Sequence, residues 1–135
     1  MNYLAIDYGT KKSGLAVNFQ DISMPLKIIE TPKLINEIIL QIKERRIDTI
    51  IVGIAPHTDG RDSVHSVKIR QFVKVLKTKI PGNIEVVFQD ERFSSFEAAK
   101  TLELAGEKNF DPKNLDDVAA CIILESYLNS INYKK

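Results

Sequence analysis

Asp7-Tyr8-Gly9-Thr10-Lys11-Lys12-Ser13-Gly14-Leu15-Ala16 is the stretch that decides how this chain folds. Tyr3 to Ile6 ahead of it form a short apolar run, and Leu15-Ala16-Val17 form another, so the glycine-containing segment between them reads as a tight turn joining two strands of a hairpin. Asp7 then stands at the carboxyl end of a buried strand. A carboxylate there is costly to desolvate unless a cation or strong hydrogen bonds compensate it. Asp7 is therefore either bonded within its own turn or facing a metal or phosphate site.

Two further acidic positions bear on that choice. Ile84 to Phe88 reads as a strand that runs into Gln89-Asp90-Glu91-Arg92, placing a second acidic group at the edge where open α/β sheets bind ligands. Leu115 to Leu124 opens a very apolar helix with Asp116 and Asp117 in its first turns. Each acid has a structural role open to it; for Asp116 and Asp117 this is the helix dipole, worth roughly 0.3 to 1 kcal/mol apiece. What they share is a place at the end of an element, where a fold can gather them.

The remaining chain supplies a mixed sheet flanked by helices. Strand two is expected over Gly14 to Asn18 and strand three over roughly Leu26 to Glu30, completing an antiparallel meander. A helix follows, with Pro32 in its first turn and Leu34, Ile35, Ile38, Ile39 and Ile42 along one face. Thr49 to Gly53 is continuously apolar, as a parallel strand covered on both faces would be. Ala55 to Asp62 is broken by proline and glycine and reads as a mobile surface loop, after which Asp62 or Ser63 caps a helix striped by Ile69, Phe72, Val73, Leu76 and Ile80. Ser94 and Glu97 have capping-box spacing for a helix to about Ala105, and Asp111-Pro112 has the form of a cap and first-turn proline for the last helix.

Composition bounds the answer. With 135 residues, 44% of them apolar, the chain can bury one sizeable core, so residues 1–135 are expected to form one α/β domain. No apolar run approaches the length of a membrane span, and no signal segment is legible, which points to a cytoplasmic protein. Cys121 is alone inside the apolar helix, so neither a disulfide nor a zinc framework is expected. The net charge is only +1, so where the cations fall matters more than their number. Lys11 and Lys12 flank Asp7, Arg92 follows Glu91, and Arg61 lies in the Asp59-Gly60 loop; these are the candidate nucleic-acid contacts. Lys68, Arg70, Lys74 and Lys77 read first as a solvated helix face.

Asp7-Tyr8-Gly9-Thr10-Lys11, Ile51-Val52-Gly53-Ile54 leading to Asp59-Gly60, Asp90-Glu91-Arg92-Phe93-Ser94-Ser95, and Leu115-Asp116 with Ala119-Ala120 and Ile123-Leu124 resemble, in this order, the YqgF family. That family comprises pre-16S rRNA nucleases, also called Holliday-junction-resolvase-like proteins. The resemblance spans nearly the whole chain. It implies an RNase H-like fold with a single mixed five-stranded sheet, and Asp7, Glu91 and Asp116 as catalytic metal ligands. Helical periodicity does not choose between Asp116 and Asp117; the resemblance picks Asp116. It also implies precursor rRNA as substrate and association with the ribosome, with branched DNA as the alternative. The chain departs from the family in having Lys12 where arginine is frequent, and Ile54-Ala55-Pro56-His57 in place of a Leu-Pro-Leu-Asn-like run.

The chemistry follows from charge. Three converging carboxylates repel one another unless divalent cations lie between them, and hard oxygen donors suit Mg²⁺ or Mn²⁺. Two such ions would activate water and stabilise the leaving oxygen of a phosphodiester. His57 and His65 then need no catalytic role, and Lys12 and Arg92 add charge at the reacting phosphate. The opening turn also looks like the phosphate loop of actin-like or sugar-kinase-like ATPases, but those close two domains around a nucleotide and this chain has length for one. A non-cleaving nucleic-acid-binding module is the other rival. Junction cleavage would suit a symmetric homodimer, because two related strands must be cut; no interface is legible in the sequence, so monomer and homodimer both stay open.

Overall fold

In a computed structural model of the protein, the structure describes residues 1–54, 64–90 and 115–133, with side chains at 119–131 in the last stretch. The described elements are strands β1 (Tyr3–Asp7), β2 (Lys12–Phe19) and β3 (Ile22–Glu30), helix α1 (Leu34–Arg45), strand β4 (Thr49–Ile54), helix α2 (Val64–Lys79), strand β5 (Glu85–Asp90) and helix α3 (Leu115–Tyr133). They build one five-stranded sheet in the order β3-β2-β1-β4-β5. The first three strands pair antiparallel, and β1, β4 and β5 run parallel, giving the mixed sheet expected from the sequence.

Period-two alternation along β1 sorts its side chains between two layers. Leu4 and Ile6 enter a core with Leu34 and Ile38 of α1 and Ile69, Val73 and Leu76 of α2. Tyr3 and Ala5 face the other way, into a core with Ile51, Ala16 and α3 residues Ala120, Ile123, Leu124 and Leu128. The second layer has small residues at its centre. Ala5 and Ala16 are register partners on adjacent strands, and Ala120 is fully buried above them, so the helix backbone approaches the sheet closely. β4 lies between β1 and β5 and is buried at all six positions, the outcome expected of an unbroken apolar run.

Several boundaries differ from the sequence expectation, each for a local reason. Pro32 belongs to a separate 3-10 turn, Thr31–Lys33, and α1 starts only at Leu34. β3 begins at Ile22, earlier than expected, because it is an edge strand with an irregular pattern: the register shifts by one residue between Leu15 and Ala16, which face Lys27 and Pro25. A bulge on the edge is where a proline, having no N–H to give, is tolerated. β5 extends to Asp90, which pairs with Ile54 and so lies within the strand. The caps expected at Asp62 or Ser63, the helix from Ser94 to Ala105 and the Asp111-Pro112 cap lie outside the described residues.

Candidate active site

Because β1, β4 and β5 are parallel, their carboxyl ends share one edge of the sheet, and Asp7 and Asp90 are both there. β4 separates them, a spacing of roughly 9–10 Å for two inter-strand steps. Asp7 is half-buried on the central strand, and it continues the Tyr3–Ala5 face that α3 covers. Asp90 is exposed.

The turn after Asp7 is held from beneath by hydroxyls. Ser13, buried at the start of β2, accepts a hydrogen bond from the Gly9 N–H at 3.2 Å, and its Oγ lies 2.9 Å from the hydroxyl of Thr31. Thr31 donates to the Gly9 carbonyl at 2.6 Å, and its own N–H donates to the Lys11 carbonyl at 2.9 Å. Gly9 itself is required by space. A Cβ added there would lie 2.1 Å from the Lys12 carbonyl oxygen, well inside contact distance. The result is a fixed turn that presents exposed Thr10, Lys11 and Lys12 beyond the end of β1. The sequence singles out Asp7, Lys11 and Lys12 around this turn but not Ser13 and Thr31, which hold it; the available signal for Ser13 was a hydroxyl directly preceding Gly14 and the apolar run Leu15 to Val17.

Of the other expected site residues, Asp116 stands in the first turn of α3, and Glu91, Arg61 and Arg92 lie outside the described residues. Asp116 and Asp117 fall four and three positions before the buried Ala120, spacings that share a helical side, so the backbone leaves the choice between them open. Among the described residues no group of three or more His, Cys, Asp or Glu is gathered as metal ligands. His65 is used in packing: its ring lies 6.1 Å from that of Tyr8. Lys68 is more than part of a solvated face, since it lines a groove beside the turn together with Tyr8, Thr10 and Phe72. Among the described residues no helix is long and apolar enough to cross a membrane.

Comparison with known proteins agrees with this architecture. Residues 1–130 match the family model described as RuvX, Holliday junction resolvase. A protein of Bacteroides fragilis named "Putative pre-16S rRNA nuclease" is 36% identical over 132 residues, covering 94% of this chain and 95% of the relative. A protein of the same name from Phocaeicola vulgatus is 38% identical over 135 residues, 96% of each. Among solved structures, Thermus thermophilus RuvC in complex with a Holliday junction substrate superposes with a TM-score of 0.63 at 14% identity, over 98% of this chain and 96% of that one. The sheet order, the layers on its two faces and this likeness make the fold RNase H-like. The match over nearly the entire length shows that the chain belongs to the RuvX family of Holliday-junction-resolvase-like proteins.

Proposed function

We propose that this protein is an endonuclease that hydrolyses phosphodiester bonds in the 5′-end processing of precursor 16S rRNA. The observation that carries the reading is kinship of 36–38% identity, over nearly the whole of both chains, with relatives named for that activity. Asp7, at the carboxyl end of the central strand of an RNase H-like sheet, supports the chemistry.

In this reading Asp7, Glu91 and Asp116 are the catalytic carboxylates and the ligands of Mg²⁺ or Mn²⁺. Their donor atoms fit such ions, being hard, anionic oxygens at or beside element ends. When bound, the ions supply an electrophile for the phosphate and lower the pKa of attacking water. The chain's own part is positional. Asp7 is anchored by a strand paired on both sides, and the turn beyond it is pinned by Ser13 and Thr31. Lys11 and Lys12 hold phosphate oxygens from that turn, and Arg61 and Arg92 serve the same end. Water adds to phosphorus and the bond to one bridging oxygen breaks, leaving a phosphate monoester on one product and a hydroxyl on the other. We assign the reaction to a single domain spanning residues 1–135, acting in the cytoplasm on ribosome-associated RNA, as a monomer on a leader or a homodimer on a junction.

Holliday junction cleavage is the second reading, favoured by the family description. A precursor 16S rRNA leader and a four-way DNA junction, incubated side by side with Mg²⁺, Mn²⁺ or EDTA, separate the two. Metal-dependent cleavage of the RNA alone is expected. Cleavage of the junction alone would move the protein to recombination, and cleavage of neither would leave a binding role.

A further inference from the structure

Asp7 and Tyr8 are consecutive, with Cα atoms about 3.8 Å apart, yet the chain sends them to opposite sides of the sheet. Asp7 continues the face under α3, whereas Tyr8 packs on the α1–α2 side. There Tyr8, Thr10 and Thr31 line an open groove of about 410 Å³ together with Lys68, Gln71 and Phe72. The Tyr8 and Phe72 rings lie 4.9 Å apart at 34°, and both remain partly exposed. The volume falls in the range of small-ligand sites, roughly 300–1,000 Å³.

We propose that this groove binds an unpaired base of the RNA strand whose phosphodiester is presented to Asp7. The inference rests on the nuclease reading above and adds to it how the strand is held. The exposed parts of the Tyr8 and Phe72 rings, which pack against each other, offer stacking to any base that is not already stacked within a helix. Gln71, exposed on the rim, carries both a donor and an acceptor, the combination that a base edge requires. Lys68, which also lines the groove, suits the phosphate of the bound nucleotide. A base locked in a duplex has both faces covered by its neighbours, so the groove selects single-stranded segments. Because Tyr8 is joined directly to Asp7, a base seated on Tyr8 brings the adjoining phosphate to the edge where Asp7 stands.

Fluorescence anisotropy with the full-length protein in EDTA, where no cleavage complicates binding, tests this. The probes are a labelled single-stranded oligoadenylate, the same strand with abasic ribose positions and equal phosphate charge, and the same strand annealed to its complement. The intact single strand is expected to bind about tenfold more tightly than the abasic one, and annealing should remove that advantage. Phe72→Leu, which keeps an apolar side chain against the core, and Gln71→Ala, at an exposed position, should each reduce the intact-to-abasic ratio. Equal affinity of the wild-type protein for intact and abasic strands overturns the groove, whatever the variants do. The two readings fail separately: cleavage of RNA with no base preference removes the groove alone, and base preference without cleavage removes the nuclease alone.

Discussion

The two ends of the central strand are built from the same kinds of residue and used in opposite ways. At its amino end, polar side chains tie the chain to itself. Asp48 accepts from the Asn2 N–H at 2.8 Å, and Asn18 accepts from the Tyr3 N–H at 2.8 Å while its amide donates to the Met1 and Gln20 carbonyls. The Asn2 amide donates to the Arg45 carbonyl at 2.9 Å, next to Arg46, whose φ of 53° ends α1. At the carboxyl end the bonding lies below the surface, in the Gly9–Ser13–Thr31 hydroxyl network, and the exposed residues are Thr10, Lys11 and Lys12. One end is a latch and the other a platform. The contrast teaches that a strand end acquires its role from where its hydrogen bonds lie, at the surface or beneath it.

The glycines near each end give the largest test of this contrast. Gly9→Ala forces a Cβ against the Lys12 carbonyl, so it should lower stability by about 1–3 kcal/mol and reduce cleavage further by displacing Lys11 and Lys12. Gly82, in the turn leading to β5 at the amino edge, has open space around its Cα. Gly82→Ala should be neutral or slightly stabilising, and thermal melts with single-turnover cleavage report both. Equal behaviour of the two variants would break the comparison.

Next in size is the latch. Asn18→Ala removes the acceptor for the Tyr3 N–H and two amide-donated bonds, and should cost about 1–2 kcal/mol in urea unfolding, with cleavage per folded molecule unchanged. Smaller again is Lys12→Ala on the platform. It should leave stability within about 0.5 kcal/mol of wild type, weaken RNA binding severalfold, and lower the slope of log affinity against log salt by about 0.7.

The smallest effect belongs to the tyrosines at the latch end. Tyr3 and Tyr127 meet edge-on at 5.5 Å, and both hydroxyls have their pKa raised above the ordinary tyrosine value, first by burial and then, for Tyr3, by Tyr127 and the acidic Asp48 and Glu85, and for Tyr127, by Glu85. A group whose folded pKa is raised stabilises the fold fully below its unfolded value and loses that contribution as pH climbs through the folded one. Stability should therefore fall above about pH 10. Tyr127→Phe should blunt the fall, as followed by melts across an alkaline series.

Much of this fold was legible because its signals are local. The unbroken run Thr49 to Ile54 is buried on both faces, and the stripes Leu34–Ile38 and Ile69–Val73–Leu76 meet the sheet as spacing implied. β3 was read short because an edge strand faces solvent at Ile22 and Met24, and its bulge at Pro25 interrupts alternation. Asp7 was legible from its position at the end of an apolar run. The groove was not, because Phe72 reads as one more member of a packing stripe and nothing local links it to Tyr8, far away in the chain. Ser13 and Thr31 escaped for the same reason: their shared partner, Gly9, appears only once β2 and β3 have brought them together.

The most direct measurement replaces the two aspartates at opposite ends of the sheet by their isosteres, Asp7→Asn and Asp48→Asn, and follows metal-dependent RNA cleavage and thermal midpoint for each. The predicted result is a double dissociation. Asp7→Asn should lose cleavage by about a hundredfold or more with its midpoint retained, and Asp48→Asn should lower the midpoint while each folded molecule cleaves normally. Wild-type cleavage by Asp7→Asn would contradict the assignment of the platform as the hydrolytic edge.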